Sequence, residues 1–174
     1  GLYRETISVA LRLIKRFKAD ARCASFIAIA RTNMASAALA LQHYSLAAES
    51  AREACEKMGL PRDAHGVLNR VIGEGTWLKS AIGLREDATI DERLAMIRSL
   101  SDAFKSPRLQ MNRALAEAAV EVYSGSLMVA VAKLLEMLKH TRSHPGLYRD
   151  NLVLLVKAYE KGHDHAGALL YLGE

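Results

Sequence analysis

The segment "GHDHAG" near the end of the chain sets His163, Asp164 and His165 side by side. Imidazoles and carboxylates are zinc ligands, but a zinc site needs three or four groups that converge on one ion. Adjacent residues point in different directions, and no Cys stands at helical spacing to complete a set. His140 and His144 are four residues apart, yet Pro145 and the "RSH" break interrupt the helix that would align them. Nor does His-Asp here match the metal dyad of an HD phosphohydrolase, because no second such cluster appears. The expectation is structural: Gly162 ends one helix and Asp164 caps the next.

The other suggestive passages fare similarly. "GEGTW", Gly73 to Trp77, has the glycines of a phosphate loop but lacks its Lys-Ser or Lys-Thr and a preceding strand. Trp77 is expected to anchor a core. Cys23 and Cys55 sit in helical patterns without CxxC spacing, as reduced, buried thiols of a cytoplasmic protein would. There is no GxSxG and no HExxH. Glu49, Glu53 and Glu56 lie at helical spacing beside Arg52 and Lys57, the pattern of a solvated face with weak ion pairs. No catalytic, cofactor-binding or metal-ligating residue is assigned, and an enzyme is not expected.

The elements that position these residues are helices. The chain has 174 residues, 51% hydrophobic and 25% charged, enough for one domain with a real core. Alanine and leucine dominate, and both lose little side-chain freedom in a helix. No stretch approaches the ~18 apolar residues of a membrane span. The first residues, "GLYRET", carry no initiator Met and no signal-peptide pattern. The net charge of +5 has an early basic cluster, Arg12, Lys15, Arg16, Lys18 and Arg22. Arg12, Lys15 and Arg16 share a helix face that could touch nucleic acid or anionic lipid, or simply be solvated. No aromatics interleave with them, so nucleic acid is not the expected partner.

About nine helices follow from the periodicity. The first, over 3–21, has two apolar stripes: Ile7, Leu11, Ile14, Phe17 and Ala21, then Leu2, Val9 and Leu13. That suits a helix contacted from two sides. A second helix covers 23–42. Ser45 is positioned to cap a third, which Gly59 ends, and Pro61 opens the next. Helix is expected through most of 61–84 despite the glycines. "TIDE", Thr89 to Glu92, reads as a capping box. Ser106-Pro107 opens a further helix, "SGS" breaks it, and "RSHPG" is the next joint. Short loops make neighbouring helices antiparallel.

Three joints share one pattern: a helix, a short polar or glycine break, then a small residue in the next helix. Those residues are Ala47, Ala130 and Ala168. The last two are 38 residues apart, and the first two are separated by two units of about 41. A period in this range signals a helical solenoid. Small residues let two antiparallel helices approach closely near their turn.

This pattern resembles the tetratricopeptide repeat (TPR) superfamily over residues 24–174. Leu152, Leu155, Tyr159 and Ala168 follow its large, large, aromatic, small order. Ala35, Tyr44, Ala47 and Ala54 fit in an earlier unit. The unit around Trp77 and Leu94 diverges, the units are long, and the proline at most unit ends is missing. The ending "YRDNLVLLVKAYEKGHDHAGALLYLGE" is similar to segments upstream of the catalytic domains of bacterial cyclic-di-GMP signalling proteins of the HD-GYP and GGDEF types. The resemblance implies an all-α, right-handed α-α superhelix over 1–174, cytoplasmic, acting as a regulatory arm. It implies a groove for a protein or peptide, or for another domain of the same chain. Its lining would be Ile29, Thr32, Ser36, Asn112, Leu115, Ala119, Asp150, Val153 and Lys157. Ala35, Ala47, Ala54, Ala130, Tyr159 and Ala168 would pack the repeats. A sensor that holds a small molecule or signalling peptide in the groove is the alternative. The Lys and Asn clamp for chaperone tails is not visible, since Thr32 and Ser36 occupy its first places. The short last helix exposes Leu169, Leu170 and Leu172, so the chain is expected to continue past Glu174 or to dimerise there.

Overall fold

The computed structural model of the chain describes residues 1–61 and 63–172, with only the backbone at Ala21. Nine α-helices and no strand occur among the described residues. They are α1 (Leu2–Phe17), α2 (Ala24–Ala40), α3 (Tyr44–Met58), α4 (Ala64–Leu84), α5 (Asp87–Ala103), α6 (Pro107–Ser124), α7 (Leu127–Thr141), α8 (Pro145–Lys161) and α9 (His165–Leu172). A 3₁₀ turn, Ala21–Cys23, precedes α2. No described helix is long and apolar enough to cross a membrane.

The helices form two compact units, Gly1–Lys105 and Ser106–Glu174. In the first, α1 through α5 each pack on the next, and α2 also packs on α4. In the second, α6 through α9 each pack on the next, and α6 also packs on α8. Both units therefore combine neighbour contacts with a contact that skips one helix, as layered helix pairs do.

Four joints share one backbone geometry. A single left-handed residue stands in each of the α2–α3, α4–α5, α6–α7 and α8–α9 turns: Gln42, Arg85, Gly125 and His163. They are 43, 40 and 38 residues apart in sequence. The N–H of the next residue donates five back, from His43 to Ala38, Glu86 to Ala81, Ser126 to Glu121 and Asp164 to Tyr159, at 2.9–3.0 Å. This bond ends a helix while satisfying a last-turn carbonyl. Five residues past the left-handed position lie Ala47, Ile90, Ala130 and Ala168, all buried. Ile90 fills, in the divergent unit, the place that alanine takes in the other three.

Several helix starts differ from expectation. Tyr44, not a residue after Ser45, begins α3, and His43 precedes it without a side-chain cap. Pro61 does not open α4; the Asp63 carboxylate does, accepting from the Gly66 N–H at 2.7 Å. Thr89 lies inside the first turn of α5, which starts at Asp87, so "TIDE" is not its cap. The α4–α5 turn fixes that start earlier than the side chains suggest. Ser106 does cap α6, accepting from the Leu109 N–H at 3.3 Å.

The glycines of α4 serve close packing, and the helix runs unbroken through "GEGTW". A Cβ on Gly73 would lie 2.9 Å from the Cys55 sulfur, where α2, α3 and α4 converge. One on Gly83 would lie 2.5 Å from the Tyr44 ring. Helix propensity lost at these positions is offset by the approach of α3.

Candidate interaction surface

On α2, beyond its exposed first residues Ala24 and Ser25, the solvent-facing positions are Phe26, Ile29, Asn33, Ser36 and Ala40, one narrow stripe. Phe26 is 74% exposed and Ile29 39%, while Ile27, Ala28, Met34, Ala35 and Ala38 are buried in a helix that packs on α1, α3 and α4. On α8 the corresponding stripe is Gly146, Arg149, Val153, Lys157 and Glu160, with Val153 47% exposed. Two apolar side chains thus stand in water on α2 and one on α8, beside polar groups able to fix a partner's orientation.

Of the proposed lining residues, Ile29, Ser36, Val153 and Lys157 are on these stripes, and Asn112 and Asp150 are half-buried. Thr32, Leu115 and Ala119 are buried. Thr32 can be buried because its hydroxyl donates to the Ala28 carbonyl at 3.1 Å, satisfied within its own helix. Its oxygen faces Gly73 of α4. Phe26 and Asn33 are the stripe residues that the sequence pattern missed. A spacing of 26, 29, 33 and 36 would have found them, whereas 29, 32 and 36 steps one residue into the core.

The repeat-packing residues Ala35, Ala47, Ala54, Ala130 and Ala168 are buried. Tyr159 is half-buried, lies against Gly167 and stacks on Tyr171 with ring centroids 6.0 Å apart. Burial, with Tyr171 and Asp164 nearby, pushes its phenol above the usual range. Leu169, Leu170 and Leu172 of α9 are exposed.

Below the stripes, charged side chains tie helix to helix. Glu74 on α4 is fully buried. It accepts from Arg70 Nε at 2.7 Å and from Arg93 Nη1 of α5 at 3.1 Å. Arg93 also lies over the Trp77 ring, 4.1 Å from its centroid. Arg70 donates to the Cys55 carbonyl and, at 2.9 Å, to the Gly59 carbonyl, capping the end of α3. In the second unit Lys161 caps α6 similarly, donating to the Val122 and Tyr123 carbonyls at 2.8 and 2.6 Å.

The groups whose chemistry the sequence raised are used structurally. Asp164 caps α9, accepting from the Gly167 N–H at 2.8 Å, and His163 takes the left-handed turn position that glycine was expected to fill. His163 and His165 are exposed. No group of three His, Cys, Asp or Glu placed to hold a metal ion occurs among the described residues. The Cys55 thiol is pushed up to about 12 by burial and by the Glu74 carboxylate. It is therefore protonated at neutral pH and a poor nucleophile. Between α2 and α3 a shallow cleft of about 510 Å³ is lined by Arg31, Arg52, Glu53, Glu56 and Lys57. Arg31 pairs with Glu53, and Arg52 with Glu56 at 3.0 Å, so both carboxylates are held by cations of the cleft itself.

Comparison with protein-family models, with curated proteins and with solved structures returns no match.

Proposed function

We propose that this chain is a non-catalytic, TPR-like interaction or regulatory module that binds a peptide or helix, or another domain of its own protein. The partner would lie along the exposed stripe of α2 or that of α8. The observation that carries this reading is the fourfold recurrence of one joint, at Gln42, Arg85, Gly125 and His163. Recurrent joints stack helix pairs and leave one face of alternate helices open, the arrangement that helical-repeat proteins use to bind partners. Phe26, Ile29 and Val153 supply exposed apolar anchors of the kind that dominate such interfaces. The likeness of residues 148–174 to segments of cyclic-di-GMP signalling proteins supports a bacterial signalling protein as the setting. Exposed Leu169, Leu170 and Leu172 support self-association through α9.

A random peptide-display selection against the folded chain tests the reading. Enrichment of sequences sharing an apolar, helix-compatible motif, with protection of α2 or α8 from hydrogen exchange on binding, is the expected result. Failure to enrich any peptide, together with a small molecule retained in native mass spectrometry, would replace it with the sensor reading. Sedimentation showing a monomer at high concentration would end the self-association part.

A further inference from the structure

Helix α1 has an open face that is both apolar and basic. Ile7, Ala10 and Ile14 pack it against Ala30 and Met34 of α2. On the solvent side Leu2, Val9 and Leu13, at intervals of seven and four, form an exposed apolar stripe. Arg12 and Arg16 run along one edge of it. Beyond them, on the far shoulder, exposed Leu11 sits among Arg4, Lys15 and Lys18. Glu5 is the one acidic residue on the helix. Residues 1–22 hold six cations and two carboxylates, a net +4 of the chain's +5. Elsewhere cations such as Arg70, Arg93, Arg113 and Lys133 are paired with carboxylates. Arg4, Arg12, Lys15 and Lys18 take no ion pair among the described residues.

We infer that α1 is a membrane-surface helix that rests on anionic lipid, with Leu2, Val9 and Leu13 dipping into the headgroup boundary. A helix with a basic polar face beside an apolar one lies in that interface, and each cation near an anionic leaflet adds to binding. The placing of Lys15 and Lys18 beside exposed Leu11 favours lipid over a protein partner, because protein interfaces are depleted of lysine. Stacking aromatics for single-stranded nucleic acid are lacking on this face: Tyr3 and Phe17 are half-buried. This surface shares no residue with the α2 and α8 stripes, so its test is independent of the proposed function.

The experiment is co-sedimentation of the full chain with phosphatidylcholine vesicles, with and without phosphatidylserine. The wild type should bind only the phosphatidylserine vesicles, and less as salt rises. Arg12→Glu with Arg16→Glu, and separately Leu2→Ser with Val9→Ser and Leu13→Ser, should each weaken binding by about tenfold or more, with helical circular dichroism unchanged. Absence of binding to either vesicle overturns the inference, as does equal binding by the wild type and both variants. Binding of a DNA or RNA oligonucleotide, or α1-dependent dimerisation, without vesicle binding would also overturn it.

Discussion

Glu74 in the first unit and Glu117 in the second are built alike and differ in depth. Each accepts from an arginine four residues earlier on its own helix, Arg70 at 2.7 Å and Arg113 at 3.1 Å. Each also faces a cation eight residues past the left-handed joint residue: Arg93 at 3.1 Å and Lys133 at 3.6 Å. The joint sets the register of the two helices, so the same position of the following helix meets the acid both times. Glu74, however, stands one turn farther from its joint than Glu117. Its side chain is 0% exposed, against 18% for Glu117. Lys133 has a second carboxylate in Glu121, whereas the other carboxylate paired with Arg93, that of Glu92, is largely exposed. One helix turn thus separates a network around a fully buried carboxylate, on which the packing of α3, α4 and α5 depends, from one that is half-buried.

The largest expected effect breaks the deeper network. Glu74→Ala leaves Arg70 and Arg93 without their shared carboxylate, and urea unfolding should show a loss of about 3–5 kcal/mol. Glu117→Ala should cost about 1 kcal/mol or less, since its partners are partly solvated. Equal losses would mean that depth is not what distinguishes the two.

Next in size is packing around α4. Gly83→Ala places a methyl against the Tyr44 ring and should destabilise by about 1–3 kcal/mol. In a Tyr44→Ala background the same change should become stabilising, because alanine is the better helix former by about 1 kcal/mol.

The joints come last. Replacing a left-handed Arg85 or His163 with glycine relieves backbone strain and should add about 0.5–1 kcal/mol, while Gly125→Ala should remove about 1 kcal/mol. If His163→Gly is neutral in thermal unfolding, the equivalence of the joints fails at α8–α9.

A pH series sharpens the comparison, since Cys55 lies beside Glu74. Its folded thiol titrates at about 12, above the ordinary value of 9.0. The unfolded chain therefore loses this proton first. The contribution of Cys55 is fully present below about pH 9 and is lost as pH rises towards about 12. Wild type should lose stability across that window faster than Cys55→Ala. A parallel pH dependence would show that the thiol is not shielded.

Much of this was legible from residue spacing. Ala47, Ala130 and Ala168 reveal three joints because a close approach of helices demands a small side chain. The fourth is hidden by Ile90, and by Arg85 in a turn where glycine or asparagine would have been diagnostic. Helix phase on α2 fails by one residue at Thr32, since threonine can bury itself by bonding to its own helix. Glu74 is illegible for another reason: a lone carboxylate reads as surface until its partner, 19 residues away in the next helix, is brought beside it. Starts of α3 and α5 are set by the preceding turn, and the capping letters nearby mislead.

The most direct test of the central claim is a binding isotherm for a display-selected peptide. It would be measured on the wild type, on Phe26→Asp with Ile29→Asp, on Val153→Asp with Lys157→Glu, and on Glu136→Ala as a control on α7. The account predicts that at least one stripe variant weakens binding about tenfold or more, about 1.4 kcal/mol, with the control unchanged. Full affinity in both stripe variants would contradict it.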